Sequence, residues 1–294
     1  MAGQAGAVLV TGCSSGIGLA LAGALAGSGW RVYAGVRSDA SRDELTRAGC
    51  RPLQLDVCDE AQCRAAVARV EEEAGGLDAL VNNAGFGLHG PIEEVPLDAA
   101  RRQFETNFFA VAGLCRAVLP GMRARGQGRI LNMSSMGGRI TFPGGAYYHA
   151  SKHALEAFTD SLRFEVRGFG VHVVLVEPGP VRSLFGRTGI ETMETGAGDE
   201  GYAGFRDSVR RGLASTAEGP GSEGSSTPEE VAAVCIEALR SPEPASRYVV
   251  GAMARALIEQ RVRDGDAAWD AFLETLYVSP GPEAPDSSGK TSSS

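Results

Sequence analysis

Tyr148 and Lys152, in the run YYHASKH, stand four residues apart. Residues at that interval share one face of a helix, so the lysine ammonium can lie beside the phenol and favour its ionised form. A free phenol titrates near about 10. A neighbouring cation lowers that value toward the range in which a general acid or base is useful at neutral pH. A glycine-rich turn, TGCSSGIG, lies upstream at residues 11 to 18. Pair and turn together point to hydride-transfer chemistry on a dinucleotide cofactor.

In the turn, Gly12 can lead the chain out of a strand, Gly16 allows close backbone approach, and Gly18 lets the next helix pack near that strand. Ser14, Ser15 and Ile17 lie between and beside them, at a helix N-terminus whose free N–H groups and positive dipole suit a pyrophosphate. The spacing GxxxGxG differs from the ordinary GxGxxG fingerprint, but AVLV precedes it and an apolar helix follows, which is the context the motif demands. The second strand ends at Val36 and Arg37 follows. Where an NAD enzyme places a carboxylate for the ribose hydroxyl, a guanidinium suits a 2′-phosphate, so NADP(H) is favoured over NAD(H). A solvated loop arginine is the competing reading. Asp56, ending LQLD, can accept a bond from the adenine amino group, with Val57 beside it. Asn82, Asn83, Ala84 and Gly85 in NNAG are placed to line the adenosine side, or, for the two asparagines, to form the turn at a strand end.

The elements that must position these residues alternate short apolar runs with helical stretches. AVLVTG, RVYAGV, PLQLDV, DALVNNAG, RILNMSS and VHVVLVEPG are six strands in a βαβ rhythm, hence a parallel sheet with helices on both faces. A long helix is expected from about Ala146 to Arg167. A last strand is expected at Arg247 to Val250, after a helix in which Thr227 is the N-cap and Glu230 its capping-box partner. From Ser183 to Ser226 the pattern dissolves into glycine, serine and charge, with one short helix around Tyr202 to Leu213. An excursion of that length after the sixth strand reads as a substrate lid over about residues 184–226. The tail from Ser279 has nothing to bury and reads as disordered, leaving one catalytic domain over residues 1–278.

Composition narrows the partners. The 294 residues are 43% hydrophobic, enough for one sizeable core. With 28 basic against 36 acidic residues the net charge is −8, which disfavours a nucleic-acid partner and leaves small molecules. The six cysteines show neither metal spacing nor disulfide density. His89, His149, His153 and His172 form no ligand cluster, so no metal is expected. MAGQAGAVLV lacks a signal-peptide pattern, and no run of about 18 apolar residues occurs. A cytoplasmic protein without a transmembrane segment is expected, with peripheral membrane contact still open.

The motifs TGCSSGIG, NNAG, Asn107 in TNFF, Ser134 and Ser135, YHASK at 148 to 152, and PGPV at 178 to 181 resemble, in order and spacing, the short-chain dehydrogenase/reductase family. The resemblance covers about residues 7 to 185. GCSSGIGLAL, VYAGVR, GFGLHGPIEEV and ETNFFAV are similar to its 17β-hydroxysteroid dehydrogenase type 1 and retinol dehydrogenase branch. It implies an α/β fold with a Rossmann-type, doubly wound, parallel seven-stranded sheet, a homodimer or homotetramer, and a Ser–Tyr–Lys–Asn catalytic group. Tyr148 matches the proton donor or acceptor, and Ser135 the hydroxyl that holds the substrate oxygen. Lys152 matches the residue that also bonds the nicotinamide ribose, and Asn107 the asparagine that holds a water beside it. Pro178, Gly179 and Val181 match the loop at the nicotinamide amide. Ser183 stands where the family usually carries threonine.

Phe86, Leu88, Met136, Phe142, Leu184 and Phe185 suggest an apolar substrate pocket, with core filling as the plain alternative for each. A steroid- or retinoid-like alcohol or ketone fits such a wall. A smaller polar keto substrate is the second reading, and a catalytically silent dinucleotide-binding sensor the third.

Overall fold

A computed structural model describes residues 6–193, 198–214 and 224–279. Its first half is the expected alternation: β1 (Ala7–Val10), α1 (Gly16–Gly27), β2 (Arg31–Val36), α2 (Arg42–Arg47), β3 (Arg51–Gln54), α3 (Glu60–Ala74) and β4 (Ala79–Asn82). Next come α4 (Leu97–Phe104), one π-helical turn (Glu105–Phe109), α5 (Ala110–Arg125) and β5 (Gly128–Met133). The second half runs through α6 (Ala146–Val166), β6 (Val171–Pro178), α7 (Leu184–Met193), α8 (Ala203–Ala214), α9 (Pro228–Arg240), β7 (Arg247–Val250) and α10 (Ala252–Leu276).

The seven strands form one parallel sheet in the order β3-β2-β1-β4-β5-β6-β7. Central strands such as β1 and β4 are buried along their whole length, because helices cover both faces; strands of that kind read as unbroken apolar runs. Leu80, Leu114 and Leu155 belong to the core under α3, α5 and α6, while Val81, Leu21 and Cys235 belong to the core under α1 and α9. Thr227 caps α9 with the expected capping box to Glu230.

Strand order reverses between β1 and β4, and open α/β sheets bind ligands in the crevice beyond the carboxyl ends of strands at such a switch point. Those ends carry Gly12, Asn83, Ser134 and Pro178. The excursion after β6 departs from expectation. Besides the expected helix, realised as α8, it contains α7, whose LFGRTGIETM sequence is a poor helix former on propensity alone and is held by packing against α8. Residues 194–197 and 215–223 of the excursion, and the tail after Ser279, lie outside the described residues.

Candidate active site

A cleft of about 1380 Å³ runs across the carboxyl ends of the strands. The glycine-rich turn forms one wall, from Gly12 through Ser14, Ser15, Gly16 and Ile17 to Gly18. Gly12 adopts φ +69, and a side chain there would strike the Ala84 backbone at 2.8 Å. A Cβ at Gly18 would come within 2.2 Å of the Gly12 carbonyl. Close approach of three backbones thus requires these glycines. Ser15 makes no side-chain cap to α1, and the first turn of α1 carries no acidic residue, so its N-terminal N–H groups and dipole face the cleft, as an anionic ligand requires. Asn83 braces the turn by donating to the Thr11 and Gly12 carbonyls at 2.9 and 3.1 Å. Asn82 is different from expectation: it is buried in the sheet, donating to Asn132 Oδ1 at 2.9 Å, and does not line the cleft.

Arg37 lines the cleft at the end of β2 and enters no ion pair among the described residues. Asp56, Val57, Asn83, Ala84, Gly85, Pro178, Gly179, Val181 and Ser183 line it as well. Ser183 also receives the Phe185 N–H at 3.3 Å, which caps the first turn of α7.

The catalytic candidates converge on the floor of the same cleft. Lys152 and Tyr148 lie one turn apart on α6, both buried. Lys152 donates to the Met133 carbonyl at 2.7 Å and sits 6.0 Å from the centre of the Tyr148 ring. Ser135 lies two residues beyond β5, with its hydroxyl against the phenol. Its hydroxyl accepts the Gly137 N–H at 3.0 Å and donates weakly to the Pro178 carbonyl at 3.4 Å. Asn107 lies in the π-helical turn, whose widened backbone carries its amide inward. The amide accepts from Phe86 N at 3.1 Å and donates to the Phe86 carbonyl at 2.9 Å and Ser151 Oγ at 3.1 Å. A Cβ at Gly85 would lie 3.1 Å from Asn107 Oδ1 and 3.8 Å from Lys152 Nζ. Asparagine, lysine and glycine therefore meet at one point.

Electrostatics correct one expectation. Burial pushes the Tyr148 phenol up to about 12, with the Ser135 hydroxyl pulling the other way. The lysine does not win, because burial pushes it down as well, to about 8, opposed by Glu156. Both groups lose solvation together, and Lys152 spends its hydrogen bond on a carbonyl rather than on the phenol. Tyr148 is therefore protonated at neutral pH and ready to donate.

The short chain dehydrogenase family pattern matches residues 6–192. Human 17-beta-hydroxysteroid dehydrogenase type 1 is 37% identical over 281 residues, covering 87% of this chain and 81% of that protein. Human retinol dehydrogenase 8 is 42% identical over 198 residues, 63% of this chain and 62% of that protein. This chain belongs to the short-chain dehydrogenase/reductase family. Among solved structures, a short-chain dehydrogenase from Streptomyces avermitilis superposes with a TM-score of 0.77 at 30% identity, covering 94% of this chain and 97% of the other. One from Burkholderia cenocepacia in complex with NADP gives 0.71 at 25% identity, covering 94% and 99%.

In this short-chain dehydrogenase, Phe86, Met136, Phe142, Leu184 and Phe185 all reach the cleft, and Phe185 packs 5.4 Å from the Tyr148 ring. Leu88 does not. It is buried and lines a smaller adjoining cavity of about 360 Å³. Two histidines that the sequence leaves without a role stand in the wall. His89 and His149 rings lie 6.0 and 5.4 Å from the Tyr148 ring. Burial holds both near a pKa of about 4, so both are neutral at working pH. The position of His149 next to Tyr148 was the one signal available for it; nothing in the sequence brings His89 across to α6. Among the described residues no acidic, histidine or cysteine cluster is placed to hold a metal, and no helix is long and apolar enough to cross a membrane.

Proposed function

We propose that this short-chain dehydrogenase moves a hydride between NADP(H) and the carbinol or carbonyl carbon of a lipophilic, steroid- or retinoid-like alcohol or ketone. The observation that carries the reading is the meeting of Ser135, Tyr148, Lys152 and Asn107 beside Gly85 on the floor of the cleft. The NADP preference is supported by Arg37, a guanidinium without an ion-pair partner among the described residues at the end of β2. A cation there suits a 2′-phosphate, where a carboxylate would suit a ribose hydroxyl. The lipophilic substrate is supported by the aromatic and aliphatic wall formed by Phe86, Met136, Phe142, Leu184 and Phe185, and by the steroid and retinol dehydrogenase names of the relatives.

The glycine-rich turn and α1 N-terminus would hold the pyrophosphate, Asp56 and Val57 the adenine, and Lys152 the nicotinamide ribose. When bound, the nicotinamide supplies or accepts the hydride. The protein's part is positioning and proton transfer. In reduction, Tyr148 donates its phenolic proton to the substrate oxygen, and Ser135 donates a hydrogen bond to the same oxygen as negative charge develops there. In oxidation the same two groups act in reverse, with the tyrosinate as base. Asn107 fixes the backbone of Phe86 beside Gly85 and Lys152. Assembly as a homodimer or homotetramer belongs to the same proposal.

The test is a panel of hydrophobic ketones, with small polar keto compounds included, offered with NADPH and with NADH. The reading expects consumption of the reduced-nicotinamide absorbance with hydrophobic members and a higher kcat/KM with NADPH. Turnover confined to polar members would replace the substrate class. Cofactor binding without turnover on any member would favour the sensor.

A further inference from the structure

Beside the catalytic lysine lies a cluster of charge that the reaction above leaves unused. Glu177, near the end of β6, is fully buried, and Glu156, one helical turn beyond Lys152 on the same face of α6, is 5% exposed. Arg247 of β7 reaches both carboxyls, its Nε lying 3.2 Å from Glu156 Oε2 and 3.0 Å from Glu177 Oε1. Arg139, on the turn that follows Ser135, approaches Glu177 Oε2 at 3.5 Å. Arg247 also pairs with Asp160, which Arg163 holds at 2.7 Å from within α6. Despite these cations, Glu156 Oε1 and both Glu177 oxygens have no hydrogen-bond donor among the described residues. Two dry carboxylates side by side repel and leave lone pairs unmet, whereas one proton held between them turns one acid into the donor that the other lacks.

We propose that Glu156 and Glu177 form a proton-sharing carboxyl pair that sets the charge of Lys152 from outside the cleft, with Arg247 as its clamp. Glu156 and Glu177 are positioning residues in this scheme. It rests on reading Lys152 as a member of the catalytic group. Burial and the neighbouring Glu156 carry Glu177 up to about 7, so the pair gives its proton to solvent near neutrality and gains one negative charge. Glu156 is the charge that opposes the burial of Lys152. Phenol Tyr148, amide Asn107 and the Met133 carbonyl complete the lysine's surroundings. Loss of the shared proton thus strengthens the ammonium in the range where burial begins to strip it.

Carbon-13 NMR of the lysine side chains tests this without turnover, the Lys152 Cε resonance being assigned by its absence in Lys152→Met. In the wild-type protein the resonance is expected to show a small inflection near neutral pH besides its principal titration. Glu177→Gln removes the inflection and, with the second negative charge gone, lowers the principal titration by less than Glu156→Gln does. Glu156→Gln lowers the principal titration by about one to two pH units, the effect of a unit charge some 6 Å away at an effective dielectric constant of about 20. The alkaline limb of kcat/KM moves with it. A wild-type resonance without the inflection, or titrations unchanged in both variants while only melting temperature falls, overturns the proposal and leaves the cluster as a brace. Should Glu156→Gln fail to fold, the wild-type and Glu177→Gln titrations still decide. Coupled titrations in a protein that turns over no ketone would refute the hydride-transfer reading alone.

Discussion

Replacing Ser135 with alanine separates two roles that its hydroxyl combines. The Oγ accepts the N–H of Gly137, a buried residue, at 3.0 Å, and its bond to the Pro178 carbonyl is long at 3.4 Å. The structural loss is thus one orphaned donor, worth about 1–3 kcal/mol, or a melting temperature lower by several degrees at about 2–4 °C per kcal/mol. The catalytic loss is larger. A donor aimed at developing oxyanion charge is worth about 100- to 1000-fold in kcat, roughly 3–4 kcal/mol. The same hydroxyl is what opposes the burial of Tyr148, so its removal leaves the phenol a still weaker acid. Steady-state kinetics with saturating NADPH should show the fall in kcat, with the KM for cofactor little changed. Ser134→Ala is the internal control. Ser134 Oγ is buried without a hydrogen-bond partner among the described residues, so its loss should cost little in either stability or rate. A loss below tenfold in Ser135→Ala, a loss confined to cofactor KM, or equal damage from Ser134→Ala would refute the reasoning.

Arg37→Asp should invert the cofactor preference, lowering kcat/KM for NADPH by about 10- to 100-fold for the lost charge-assisted contact; an unchanged NADPH to NADH ratio would remove Arg37 from the site. Asn107→Ala breaks three hydrogen bonds at 2.9–3.1 Å around Phe86 and Ser151, and denaturant titration should show a loss of about 2–4 kcal/mol together with lost turnover. Acid should destabilise the chain through His89 and His149. Each is held near about 4 against an ordinary 6.5, so the unfolded state binds more protons between those values and stability, full above pH 6.5, drains as pH falls toward 4. At about 1.4 kcal/mol per pH unit the loss is about 3 kcal/mol for each. His89→Leu should flatten the slope of unfolding free energy between pH 6.5 and 4, and an unchanged slope would contradict the burial argument.

Much of this fold was legible because its signals are local. AVLV, RVYAGV and VHVVLVEP are apolar runs too short for helices and punctuated by turn residues, and Thr227 with Glu230 declares a helix start within four positions. The glycine-rich turn was legible only in part: Gly18 answers to the Gly12 carbonyl six positions back, whereas Gly12 answers to Ala84 on the far side of β4. What stayed hidden depends on distant parts of the chain. Placing Lys152 one turn from Tyr148 on α6 does not show that burial outweighs it; that follows only when Ser135, His89 and Phe185 close around the phenol. In the π-helical turn at Glu105–Phe109, Asn107 bonds to Phe86 and Ser151, which lie 21 and 44 positions away in sequence. Leu88 and Phe86 are two residues apart in one loop, yet Phe86 reaches both cavities and Leu88 only the smaller one. Glu177 and Arg247 are 70 positions apart in sequence and 3.0 Å apart in space, and neither reads from its neighbours as anything but a strand residue.

The central claim is that the phenol of Tyr148 carries the proton, while the other residues of the cleft bind and orient. The direct measurement compares Tyr148→Phe with the unaltered protein, NADPH binding being followed by fluorescence and turnover by absorbance on the same ketone. The hydroxyl faces the floor of the cleft and the glycine-rich turn does not depend on it, so the variant should bind NADPH within about threefold and lose turnover by at least about 1000-fold, a combination expected when a positioned acid–base group is removed. Retained turnover in Tyr148→Phe would contradict the account.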